Sequence, residues 1–152
     1  MAAAWPRVVN RLVAWLPTLP GWADVAVYDG PPVTGDTPGS FVTVGYVPGE
    51  DFGGSYEQTR NGENSWQGAL EEAGSVRCEL VCWTGDVGLA AQRAAAFALI
   101  DAWEAALSAD ERLGVLPPSS TSSLSVDVQP VQNSAGAAQR LTVTLSYFSR
   151  GL

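Results

Sequence analysis

The feature that most constrains the fold is a change of periodicity near residue 84. Over Val76–Thr84, apolar and polar residues alternate with the period of two that is typical of a β-strand. Thr84-Gly85-Asp86 then supplies turn and capping residues, and the apolar positions that follow, to about Ser108, repeat with helical spacing. The sequence therefore predicts a strand that leads directly into a long helix packed on the same sheet.

This predicted helix has three sides. The apolar stripe expected to face the sheet consists of Leu89, Ala96, Leu99, Ile100, Trp103 and Leu107. The opposite side carries Arg93, Asp101 and Glu104, and Phe97 lies with these charges. The side between them is made of Ala91, Ala95, Ala98, Ala102 and Ala105. Small residues allow close approach of another helix, so we expect the N-terminal helix to pack there. An exposed aromatic residue such as Phe97 is usually incidental, but it is also typical of interface anchors.

The remaining elements are shorter. An amphipathic helix is predicted over Trp5–Leu16, with Pro6 in its first turn and Pro17 at its end. Strands are predicted at Val25–Tyr28, at Phe41–Val47, and in a closing hairpin whose arms are Leu124–Val128 and Leu141–Tyr147, around Asn133–Gly136. Pro130 predicts that its arm lies at an edge of the sheet.

Residues 48–74 are ambiguous. Asn61-Gly62 indicates a hairpin between Tyr56–Arg60 and Asn64–Leu70, but few of these residues could be buried, and a long excursion fits equally well. Together the elements predict an α+β fold, a mostly antiparallel sheet with two helices packed on one face. We expect one domain over residues 1–152, with a loop or hairpin excursion at about 48–74.

The composition excludes much catalytic chemistry. The chain has no His and no Lys, so its 8 basic residues are all Arg. It therefore lacks the commonest general base, the commonest metal ligand and a Schiff-base amine. Cys78 and Cys82 are expected to be buried free thiols, because four residues of strand separate them by roughly 13 Å, too far for a disulfide. We expect no catalytic residues, no bound metal and no cofactor.

The charge is strongly acidic. The formal net charge is −8, and 7 acidic residues against 2 Arg lie within residues 50–79. Such a chain should repel a phosphate backbone unless its few Arg cluster. The acidic segment is expected to be a solvated face or a functional acidic surface. Nothing in the sequence indicates export or a membrane span.

Several short motifs carry a resemblance to a known family. They are the opening helix Trp5–Leu16, Val27-Tyr28-Asp29-Gly30-Pro31-Pro32, Phe41-Val42-Thr43-Val44-Gly45, Val76–Trp83 running into Thr84-Gly85-Asp86 and the long helix, and Leu141–Phe148 followed by Ser149-Arg150-Gly151. In this order of elements the chain resembles the tail-terminator (tail-completion, head–tail joining) proteins of long-tailed bacteriophages. The likeness spans nearly the whole chain but rests on a pattern without a diagnostic signature.

The resemblance implies a non-enzymatic virion protein, assembled in the host cytoplasm. Such subunits form a homo-hexameric ring that caps the tail-tube protein, ends tube polymerisation and meets the head-completion (stopper) protein, with DNA passing through the bore. Arg93, Phe97, Glu104 and Arg150 are then candidate interface residues. The candidates for an acidic loop facing the bore or the tube are Glu50, Asp51, Glu57, Glu63, Glu71 and Glu72.

Three alternatives stay open. A head-completion or neck subunit is the nearest, and a cytoplasmic module that binds a small ligand or peptide is the next. A hydrolase that depends on carboxylates is the third, although the adjacent acidic pairs Glu50-Asp51 and Glu71-Glu72 form no recognisable catalytic constellation.

Overall fold

The computed structural model describes residues 3–32, 39–61, 69–83, 88–133 and 136–151. In chain order the elements are α1 (Trp5–Trp15), a 3₁₀ turn (Leu16–Thr18), β1 (Ala26–Asp29), β2 (Phe41–Val44), β3 (Gly54–Asn61), β4 (Ala69–Trp83), α2 (Leu89–Ala109), β5 (Thr121–Asn133) and β6 (Gly136–Arg150). The α+β class predicted from the sequence is confirmed.

All six strands belong to one sheet, whose main order is β1-β2-β4-β6-β5. Strand β4 is its centre: β6 pairs with one side of β4, while β2 and β3 share the other side, at Cys78–Val81 and Ala69–Val76 respectively. Only β1 and β2 run parallel. Strand β5 lies at the edge beyond β6, as the proline at position 130 predicted.

Both helices pack on one face of this sheet. Alternate residues of β4 and β6 form the sheet side of the core, including Cys78, Leu80, Leu141 and Val143, all of which are fully buried. Helix α1 lies over β1, β2 and β4, and α2 lies over β4, β5 and β6. Trp22 and Trp103 join the two halves of the core, with ring centroids 5.9 Å apart and edge-to-face geometry.

The ambiguous region resolves into a long hairpin. Strand β3 pairs antiparallel with β4, and Asn61 lies opposite Ala69. The predicted turn at Gly62 and the residues from 63 to 68 lie outside the described residues. Strand β4 also begins well before the predicted Val76, because its first half gains a partner on each side. Strand β2 ends earlier than predicted, at Val44, because Gly45 adopts a positive φ of 73°.

The prediction that α1 packs on the alanine side of α2 is wrong. Helix α1 instead contacts the sheet and its own 3₁₀ turn. Its apolar residues Val8, Val9 and Leu12 are buried in the core, where α1 contacts β1, β2 and β4. The alanine side of α2 is left with four exposed members, Ala91, Ala95, Ala98 and Ala105, and one partly buried member, Ala102.

Candidate functional site

An apolar groove of about 560 Å³ lies between α2 and the connection from α1 to β1. Its lining includes Ala95, Ala98 and Ala102 from the alanine side of α2, with Pro20 and Val25 across from them. Cys82 of β4 and Ser40, which precedes β2, also line it. The side of α2 predicted to receive a helix therefore opens onto a groove that no described helix fills.

The residues around α2 that were candidates for an interface divide into two groups. Arg93 and Glu104 are exposed on the side of α2 that faces away from the sheet, and their role in an interface stays a prediction. Phe97 is different: it is half-buried and packs against the core, so the expectation that it points out with the charges is wrong.

Arg150, the fourth candidate, is engaged within the chain. Its Nε and Nη2 both lie 2.8 Å from Oε1 of Glu71, the residue opposite it in the β4–β6 ladder. The Arg150 side chain keeps 59% of its surface exposed, whereas that of Glu71 keeps 9%. Arg150 can still be contacted by a partner, but its charge is already balanced.

The candidate acidic loop is not one surface. Asp51 and Glu57 are exposed, and Glu50 forms a 3.1 Å ion pair with Arg77. Glu63 lies outside the described residues. Glu71 and Glu72 are buried inside β4, with 7% and 0% of their surface exposed, so these two cannot belong to a solvated acidic face of this chain. The sequence did not predict this burial, because adjacent acidic residues usually lie in a solvent-exposed segment.

Glu72 is the centre of a buried polar cluster on the helix-bearing face. Its carboxylate accepts a 2.6 Å bond from Tyr147 Oη, a 2.8 Å bond from Gln58 Nε2, and bonds of 3.0 and 3.1 Å from the backbone N–H of Ala4. Burial, reinforced by the bond to this carboxylate, raises the pKa of Tyr147. The cluster is fully hydrogen-bonded and holds the start of α1 to β4, which indicates a structural role.

A second set of acidic residues lies on the opposite face of the sheet, which carries no helix. Three ion pairs cross this face: Arg77 with Glu50, Arg140 with Glu79, and Arg150 with Glu71. Burial raises the pKa of Glu79, and the neighbouring Arg140 opposes that rise. Three of the 8 Arg are thus balanced by carboxylates, so this face offers little net positive charge to a phosphate backbone.

The two cysteines lie on the core side of β4, both buried and free, as predicted. Burial raises the pKa of the Cys78 thiol to about 12 and also raises that of Cys82. Such thiols are poor nucleophiles at neutral pH. Their burial in the core indicates a structural role.

Two further features bear on chemistry. Within the described ranges, no three Cys, Asp or Glu side chains converge as a metal site would require. None of the described helices has both the length and the apolar character needed to cross a membrane.

Comparison with protein-family models finds no match to this chain, and a search of curated proteins finds none either. The groove, the exposed side of α2 and the distribution of charge are the features of this chain that bear on its function.

Proposed function

We propose that the protein is a structural virion subunit that assembles into a ring at the head-proximal end of a bacteriophage tail tube. The ring ends tube polymerisation, joins the tail to the head-completion complex and lets DNA pass through its bore. The order of elements in the sequence is the first support for this proposal. The second support is the surface of α2, which carries the argument.

Helix α2 is apolar on more of its circumference than one sheet can cover. Of its 21 residues only Arg93, Asp101 and Glu104 are charged. A helix with so few polar positions is typical of one buried on several sides. In the single chain its alanine side remains exposed beside the apolar groove, and this exposure favours a neighbouring subunit as the missing cover.

The charge distribution is compatible with a channel for DNA. With a net charge of −8, the chain holds few unbalanced basic groups, because Arg77, Arg140 and Arg150 are paired with carboxylates. Exposed Asp51 and Glu57 add negative charge at the β3 side. A bore lined by such a surface would not retain the phosphate backbone, so DNA could slide through it.

The test is imaging and native mass spectrometry of the full chain, alone and with tail-tube protein. The expected result is a closed ring of about six copies, either alone or on the tube end. Ala98→Glu places a charge on the alanine side beside the groove and should abolish the ring. Ala14→Glu, at an exposed position of α1 that does not line the groove, is the matched control and should leave it intact.

A chain that stays monomeric and ignores tail tubes would contradict the proposal. Recruitment to head-completion protein with no affinity for tubes would instead assign the chain to the neck, the nearest alternative. Circular dichroism of Ala98→Glu is the folding control, because it distinguishes loss of the ring from loss of the fold.

The groove also favours a second candidate, a module that binds a small apolar ligand. Its volume of about 560 Å³ lies within the ordinary range for ligand sites, and Asp24 and Ser40 add polar groups to a mainly apolar lining. Native mass spectrometry of the purified protein would reveal a retained ligand. Ala98→Trp, which fills the groove, should then prevent its retention.

A further inference from the structure

Strand β5 leaves one side of its backbone unpaired by any described strand. It runs for 13 residues, Thr121–Asn133, and pairs along its whole length with β6 on one side only. A long edge of this kind presents a row of free N–H and C=O groups, which is a ready template for another strand. Natural edges are usually short, or are protected by charged side chains.

Pro130 indicates which backbone groups of β5 point away from β6. It lies opposite Gln139 in the β5–β6 ladder, and proline has no N–H to give to that ladder. Along an antiparallel strand, the backbone N–H and C=O groups of one residue hydrogen-bond the partner strand, and those of the next residue point away from it. Position 130 therefore points away, and so do the backbone groups of Ser122, Leu124, Val126 and Val128.

The same edge is the least charged part of an acidic chain. Between Leu113 and Gln139 the only charged residue is Asp127, although the whole chain carries a net charge of −8. Two copies of this protein repel each other over most of their surface, and least at this edge. Strand β3, which pairs only with β4 among the described strands, carries Glu57 and Arg60 and lies in the acidic part of the sequence.

We propose that β5 pairs antiparallel with β5 of a second copy, so that the sheets of two subunits become continuous across a two-fold axis. This pairing is independent of the proposed ring, which uses the alanine side of α2.

The register follows from the side chains. With Val126 opposite Val126 of the second copy, Leu124 lies opposite Val128, and the aliphatic row of one edge meets that of the other. This covers Val128, which is 51% exposed in the single chain. Asp127 then lies opposite Ser125. A shift by two residues in one direction would set Asp127 against itself, and a shift in the other direction would set Val128 against Ser122.

Charge gives the dimer an electrostatic signature. Glu104 and Glu111 flank the depression beside Ser122–Leu124, next to the free edge. In the proposed register each of these carboxylates lies beside the other end of the second copy's strand, about 20 Å along the strands from its counterpart, so repulsion between the copies comes mainly from their net charges of −8. Salt screens such repulsion, so the dimer should strengthen as ionic strength rises.

The experiment combines sedimentation equilibrium of the full chain with disulfide trapping. Ala98→Glu, which should not form the ring, should show a monomer–dimer equilibrium that shifts toward dimer with salt. Val126→Cys should form a disulfide-linked dimer under mild oxidation, because position 126 meets itself on the axis and the native thiols are buried. Ser123→Cys is the matched control: it is more exposed, but its counterpart lies about 20 Å away along the strand, so it should not cross-link.

Val128→Lys should weaken the dimer by at least about tenfold, because the charge would be placed against Leu124 of the second copy, whereas Val128→Thr should have little effect. Both variants change an exposed position, and far-UV circular dichroism will verify that they fold. A wild type that stays monomeric at millimolar concentration would overturn the proposal. Normal dimerisation of Val128→Lys would also overturn it, as would cross-linking of Ser123→Cys that equals that of Val126→Cys. A third contrary result would be a disulfide between Val126→Cys in one copy and Glu57→Cys on β3 of another.

Discussion

The carboxylate of Glu72 accepts a hydrogen bond from the backbone N–H of Ala4, a residue 68 positions earlier in the chain. Ala4 is the N-cap of α1 and has no side chain that could cap the helix. A buried carboxylate on the central strand takes over that function, and its negative charge also favours the positive end of the helix dipole. The start of α1 is therefore defined by tertiary structure.

Replacing Glu72 should detach the start of α1. Glu72→Ala would leave the Ala4 N–H, the Gln58 amide and the Tyr147 hydroxyl without their acceptor, so we expect a loss of about 2–4 kcal/mol in the free energy of unfolding, measured with urea. Glu57→Gln, on the neighbouring strand and exposed, is the matched control and should change stability by less than about 0.5 kcal/mol. Equal effects of the two variants would contradict a capping role.

Gly74 makes room for Tyr147, and this leads to a second prediction. A Cβ built at position 74 would overlap the end of the Tyr147 ring, nearer than real carbon contacts allow. Gly74→Ala should displace the ring and its hydroxyl from Glu72, at a cost of about 2 kcal/mol or more. The double variant with Tyr147→Ala should lose less than the sum of the single losses, because the clash is absent. Simple additivity in urea unfolding would show that the two positions do not interact.

Sequence periodicity was sufficient to predict the elements that pack one face against the core. The alternation in Val76–Trp83 and in the closing hairpin predicted the strands and their buried sides, because burial on one face of a sheet imposes a period of two. The apolar stripe of α2 was predicted on the same grounds. Pro130 was enough to place β5 at an edge, since no interior strand tolerates a missing N–H.

Other features depend on contacts that a linear pattern does not carry. Glu71-Glu72 reads as solvated, yet the two side chains point to opposite faces of β4 and find Arg150 on one side and Ala4 on the other. The partner of α1 could not be predicted either, because its apolar side fits a helix and a sheet equally well. The groove beside α2 is left open because α1 packs on the sheet, and no local sequence pattern indicates such a groove.

The buried thiols give a third prediction. Burial raises the pKa of Cys78 to about 12 and also raises that of Cys82, so little thiolate exists in the native protein at pH 8. We expect a disulfide reagent such as 5,5′-dithiobis(2-nitrobenzoate) to label neither thiol within minutes at pH 8, and to label both at once in denaturant. Rapid native labelling would mean that β4 opens locally under these conditions.

The ion pair between Glu79 and Arg140 gives a prediction about pH. Burial raises the pKa of Glu79 in the folded chain, so the folded state binds a proton at this site more tightly than the unfolded state does. The stability contributed by this proton is fully present below the unfolded pKa and is lost as the pH rises through the folded pKa. Relative to Glu79→Gln, which cannot titrate, the wild type should therefore gain stability as the pH falls from neutral toward the unfolded value.

The measurement is the difference in unfolding free energy between wild type and Glu79→Gln, from urea titrations at several pH values between about 4 and 8. Taking this difference cancels the titration of the other carboxyl groups. Thr142→Val, at the position opposite Glu79 in the β4–β6 ladder, introduces no titratable group and should differ from wild type by a constant amount. A difference for Glu79→Gln that is equally constant, or that grows in favour of the wild type as the pH rises, would show that Arg140 outweighs burial at this site.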